Sequence, residues 1–136
     1  MLTHLGERSD AIGELAGRAK AYLQNGDYAP LKQVFLARFP GWDSFVCRVL
    51  VNHLFFLQFP VSRKAAQQQA EFRALCAVYG LMCIVAVGCT GDKGGEVELI
   101  DACAALFRMV EHSNFTATVN RFFRERESAC VSMLAL

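Results

Sequence analysis

Proline is rare in this chain, and its three copies, Pro30, Pro40 and Pro60, all stand where one apolar pattern ends and another begins. None falls inside a pattern it would break, so the segments between them can be uninterrupted helices. Alternation of apolar and polar residues never persists, which leaves no candidate strand. Without strands the chain cannot by itself build the doubly wound sheet used by common dinucleotide or methyl-donor cofactor domains. Charge of one sign is also lacking: 14 Lys and Arg face 13 Asp and Glu, for a formal net charge of +1. That balance gives no general electrostatic reason to expect a nucleic acid or an acidic partner. The first residues, "MLTHLGERSD", show no basic region followed by an apolar one. A secretory signal is therefore not expected, and the expected location is cytoplasmic. No internal repeat and no low-complexity segment is visible.

What is present is apolar mass in helical register. Hydrophobic residues make up 54% of 136 positions, enough for one sizeable core, and the expectation is a single helical domain over residues 1–136. Ile12, Leu15, Ala19 and Leu23 recur at spacings of three and four, and Gly26 stops that helix. Pro30 suits the first turn of a short second helix, "LKQVFLARF". After "PGWDS", Asp43 or Ser44 can cap a third helix running to about Phe59, where Pro60 ends it. Ser62 can cap the fourth and longest, from about Arg63 to Cys89, and "TGDKGG" (Thr90 to Gly95) then forms a loop. In the fifth, Val97, Ile100, Cys103, Phe107 and Val110 make an apolar stripe, with Glu98, Asp101, Arg108 and Glu111 largely off it. Ser113 or Asn114 caps a sixth helix through "FTATVNRFFRERESACVSMLAL". The predicted fold is an all-α, single-domain bundle of five or six helices around a long central apolar helix.

From Ala74 to Gly91, "ALCAVYGLMCIVAVGCTG" carries no charge. Its convincingly apolar part ends at Cys89 and would be about 24 Å long as a helix, short of the ~30 Å of a bilayer core. The preceding turns, "SRKAAQQQAEFR", are strongly polar. A helix apolar on all sides suits the centre of a bundle, and Gly80 would admit a close neighbour. Burial in protein is expected rather than a membrane span.

Chemistry-bearing residues are few. Six cysteines, Cys47, Cys76, Cys83, Cys89, Cys103 and Cys130, sit in apolar helical patterns. They read as reduced core thiols rather than a disulfide framework. Cys76 and Cys83 would lie about 10 Å apart along one helix, too far to share a zinc ion, and no C-x-x-C pair exists. No metal is expected. "GCTGDKGG" misses the spacing of a phosphate loop, and Gly13 and Gly17 in "GELAG" lack the strand that would give them a nucleotide role. His4 lies near the terminus and should be exposed. His112 falls at the C-terminal end of the fifth helix, where an imidazolium suits the dipole. Glu111 beside it faces another direction, so the two form no obvious acid–base pair.

Asn52 and His53 are adjacent in "VNHLFFLQFP". On a helix, Phe45, Val49, Asn52, Phe56 and Phe59 align on one face, and Val46, Leu50, His53 and Leu57 on a second. Both polar side chains should then point into apolar surroundings and need hydrogen-bond partners there. They either fix helix register from within or face a ligand. Asn52, His53 and His112 are the candidates for a polar functional patch, and no catalytic or cofactor-binding residue is assigned.

The segment "VLVNHLFFLQFP" resembles one in the flagellin lysine-N-methylase (FliB) family, where a helix rich in leucine, asparagine and aromatics runs into a Phe-Pro stop. "FRALCAVYGLMCIVAVG" is similar to the long apolar helix that follows in that family, and "LIDACAALFRMVEHSNF" to the later helix ending in Glu-His. The ordered match spans about Phe45 to about Phe123. The resemblance implies methyl transfer from S-adenosylmethionine to lysine side chains of flagellin, carried out by a longer protein with an N-terminal cysteine cluster. The chain lacks that cluster and so looks like the C-terminal helical portion, with no cofactor of its own. His53 stands where the family would have a tyrosine, so no role transfers to it. Flagellin and the cysteine-rich region are then the expected partners, with no nucleic acid and no membrane. The alternative is a non-enzymatic helical interaction or dimerisation module, a homodimer burying surplus apolar surface of the third and sixth helices.

Overall fold

The computed structural model describes residue 17 and residues 20–22, 24–25, 28–61, 64–90 and 95–124, with only the backbone at Cys89 and Thr90. Among these residues every regular element is helical, and the all-α bundle expected from the sequence is what forms. Five helices are delimited: α1 (Tyr28–Arg38), α2 (Trp42–Leu57), α3 (Ala65–Thr90), α4 (Glu96–Glu111) and α5 (Phe115–Phe123). Residues 17, 20–22 and 24 are helical as well. The apolar stripe expected at Ile12 and Leu15, the side chains of Ala19 and Leu23, the Gly26 stop, the Ser62 cap, His4, Gly13 and Cys130 lie outside the described residues.

The described residues divide into two compact units, one within residues 17–40 and 81–112, the other within residues 41–80 and 113–124. In the first, Phe35 of α1, the C-terminal part of α3 from Leu81, and Leu99, Ala102, Cys103, Leu106 and Met109 of α4 are buried. In the second, the buried set is Trp42, Val46 and His53 of α2, Ala74, Cys76, Ala77 and Val78 of α3, and Phe115, Val119 and Phe123 of α5. The last three recur every four residues and form one stripe. Burying them contributes roughly 5–8 kcal/mol gross. A nine-residue helix would be marginal by itself, so this stripe is what holds α5.

The punctuation expected from the sequence is only partly what the chain uses. Pro30 does sit in the first turn of α1, where an amide would have no helical partner. Gly41, rather than Asp43 or Ser44, occupies the cap position of α2, and Asp43 lies in its first turn, complementing the positive end of the dipole. The same helix stops at Leu57, two residues before the expected Phe59. Gln58 adopts the left-handed conformation (φ 53°, ψ 33°), its N–H donates to the Phe55 carbonyl at 3.0 Å, and the Phe59 N–H donates to Leu54 at 3.1 Å. Those two bonds are a Schellman ending, so backbone geometry terminates α2 before Pro60 is reached. At the start of α3, Gln67 Oε1 accepts from the Lys64 N–H at 3.1 Å, and Gln68 Nε2 donates to the Pro60 carbonyl at 3.2 Å. Asn114 takes the cap position of α5, but its side chain makes no capping bond.

The charge-free run behaves as expected of a core helix. From Ala74 to Gly88 only Leu75, Tyr79 and Ile84 are half-buried, and every other position is buried. By length and composition α3 could cross a membrane, with a mean hydropathy of 1.8, but 61% of its most apolar window is already covered by protein. A core helix passes the same test for length and composition.

The fifth sequence stripe needs correction. Val97 is 69% exposed and Ile100 48% exposed, whereas Leu99, Ala102, Cys103, Leu106 and Met109 are buried. The core face of α4 is rotated by roughly a quarter turn from the expected one. Two apolar sets share this helix, and only the position of its neighbours decides between them. At its N-terminus the Gly95 N–H donates to Glu98 Oε2 at 2.8 Å, so Glu98 reaches back to satisfy an end amide.

Candidate functional site

Helix α2 has two unlike sides. Trp42, Val46 and His53 are buried, and Trp42 stacks on Phe45 with ring centroids 5.8 Å apart. The opposite side is exposed at Asp43, Ser44, Cys47, Arg48, Val51, Asn52, Phe55 and Phe56. Its first half is polar, and Arg48 Nε donates to the Ser44 carbonyl at 3.2 Å, holding the guanidinium along the helix. The second half is apolar. Phe55 is 79% exposed and Phe56 70% exposed, with Val51 one turn before Phe55. Val61, just beyond the helix, is 66% exposed.

This arrangement separates the two adjacent polar candidates. His53 is 7% exposed and lies on the buried side, as its position between Val46 and Leu57 implied. It engages a partner within the protein, which is what a buried imidazole requires. Asn52 is exposed, against the expectation that it points into apolar surroundings. Successive residues on a helix point about 100° apart, and what packs on α2 covers the side of Trp42, Val46 and His53 but not that of Asn52. Asn52 stands instead one turn before Phe56, a hydrogen-bonding group within an exposed aromatic patch. His112 belongs to the other unit. It caps the C-terminus of α4, its backbone N–H donates to the Arg108 carbonyl at 3.0 Å, and its side chain is exposed. The geometry of each unit therefore gives each of the three candidates a separate setting.

Cys76, Cys83 and Cys103 are buried, as expected of core thiols, whereas Cys47, expected in the core with them, is exposed on α2. Among the described residues no group of three His, Cys, Asp or Glu side chains could hold a metal ion. The residues that reading the sequence did not single out are Phe55 and Val51, and Cys47, expected as a core thiol, stands exposed with them. They recur every four residues, and that spacing could have marked them, but the stripe through Phe56 and Asn52 has the same spacing. What distinguishes the exposed patch is the extent of its exposure, which spacing does not carry. A monomer usually hides such side chains, and a cluster of them beside a polar group is the composition of a contact surface. No protein-family model, no curated protein and no solved structure matches the chain.

Proposed function

We propose that the chain is a helical protein-interaction module whose contact surface is the exposed side of α2, and that a second copy of the chain is its first partner. The observation that carries this reading is the pair Phe55 and Phe56, 79% and 70% exposed at the end of one helix. Covering two such side chains contributes roughly 3–5 kcal/mol. Association costs at least about 4 kcal/mol in lost freedom, so a single patch against an ordinary surface would barely hold. A two-fold contact uses the same patch twice and roughly doubles the gain, which favours a second copy. Cys47 lies on the same side, about two helical turns before Phe55.

The resemblance to the flagellin lysine-N-methylase family fits this reading as its larger setting. In that setting the module completes an enzyme that transfers methyl groups from S-adenosylmethionine to flagellin, and the α2 surface contacts the cysteine-rich region or flagellin. Methyl transfer depends on orienting the lysine amine against the donor, a task to which a docking helix contributes.

Analytical ultracentrifugation over a concentration series tests the proposal. A monomer–dimer equilibrium is expected, shifted to monomer by Phe55→Asp with Phe56→Asp at unchanged helicity by circular dichroism. A species that stays monomeric at high concentration overturns self-association. The enzymatic setting is tested separately, by assaying flagellin methylation with the longer protein with and without this region. Methylation by the chain alone would sink the view that it completes an enzyme.

A further inference from the structure

A second feature of the same unit is independent of the aromatic patch. Between the first turns of α3 and the length of α5 lies an open cleft of about 800 Å³. From α3 it is lined by Ala66, Gln69, Ala70 and Arg73, and from α5 and its C-terminal cap by Ala117, Asn120, Arg121 and Arg124 among others. Both sets follow the spacing i, i+3, i+4, i+7, so each is one stripe of its helix, and the two stripes face each other across the cleft. Small side chains at Ala66, Ala70 and Ala117 leave the room. Asn120 holds the walls together: its Nδ2 donates to the Ala70 carbonyl at 3.2 Å and to the Thr116 carbonyl at 2.8 Å.

The lining contains three arginines and no aspartate or glutamate, although the whole chain carries a net charge of only +1. Gln69, Ser113, Asn114 and Thr116 add amide and hydroxyl groups that can donate hydrogen bonds. Arg73 also engages a partner within the protein. The exposed Arg121 of α5 and Arg124 at its C-terminal cap therefore carry the argument. Planar guanidinium groups bind carboxylate and phosphate oxygens in pairs, and neutral donors around them suit the remaining oxygens.

We infer that this cleft binds a small polyanion bearing phosphate or carboxylate groups, held chiefly by Arg121 and Arg124. Its volume lies within the usual range for small-ligand sites. Three arginines would neutralise too few phosphates for the affinity of a typical nucleic-acid surface. The site does not rest on the α2 contact surface, and the two are separable by mutation.

Isothermal titration of the full chain at low ionic strength with pyrophosphate, and separately with citrate, tests the inference. Saturable one-site binding of at least one is expected, weakening as salt is added. The stronger of the two identifies phosphoryl or carboxylate chemistry. Arg121→Gln combined with Arg124→Gln should weaken that binding at least tenfold, and because both side chains are exposed, helicity and thermal unfolding should be unchanged. Phe55→Asp with Phe56→Asp should leave the titration unaltered. No binding of either probe overturns the inference, as does equal affinity in the double arginine variant. Displacement of the bound probe by a single-stranded oligonucleotide of higher affinity overturns the small-ligand assignment.

Discussion

Asn52 and His53 show how much a single step along a helix decides. They are neighbours of similar polarity, yet one is exposed and the other is 7% exposed. Replacing His53 by alanine leaves a cavity and strands its partner, which should cost about 2–3 kcal/mol. Asn52→Ala should change stability by no more than about 0.5 kcal/mol, as for an exposed residue remote from any cap. Urea unfolding of the two variants checks this, and equal losses would mean that the assignment of inside and outside is wrong. Cys47 and the core thiols divide in the same way, although all were legible only as members of apolar patterns. Burial of one residue is a property of what lies opposite it, and its own neighbours in the chain do not state that.

Among the elements, α2 carries the clearest local strain. Gln58 holds a left-handed conformation that glycine adopts without penalty, whereas a side chain bearing a Cβ pays about 1 kcal/mol or more. Gln58→Gly is therefore expected to raise stability by up to about 1 kcal/mol, less the entropy glycine loses on folding. Gln58→Val, β-branched at the same angle, should lower it by more than Gln58→Gly raises it. Thermal unfolding of both variants measures the difference, and a stabilising valine would contradict the Schellman ending. The existence and order of the helices from Tyr28 to Phe123 were readable because apolar spacing and prolines are local signals. Their ends were less so, since Gly41 and Gln58 terminate α2 through backbone conformation rather than through a recognisable cap. On α4 two apolar stripes competed, and the sequence favoured the one that holds the exposed Val97 and Ile100.

At the scale of the molecule, buried thiols occur in both compact units: Cys76 in one, Cys83 and Cys103 in the other. Titration of native protein with a thiol reagent should modify Cys47 promptly and leave those three protected. Full reactivity should appear only across the unfolding transition. If Cys76 is modified as fast as Cys47 in native protein, the packing of the α2–α3–α5 unit described above is incorrect. The α2 surface, whose test is self-association, and the basic cleft, whose test is anion binding, also belong to this scale. Each gathers residues that have little meaning one at a time.

The sequence alone determined that this protein is helical, where most helices lie, and that the charge-free run of α3 is a core helix rather than an exposed one. Those follow from periodicity and punctuation, which act between residues a few positions apart. Only the tertiary structure decided which stripe of α4 faces inward, which of Asn52 and His53 is hidden, and that Phe55 and Phe56 stand uncovered. It also set Arg73, Arg121 and Arg124 around one cleft, making it basic in a chain whose charges nearly cancel. Contacts between residues some 50 positions apart, such as Asn120 with Ala70, depend on how helices pack. No local pattern encodes that arrangement, because it is the joint outcome of every face seeking cover at once.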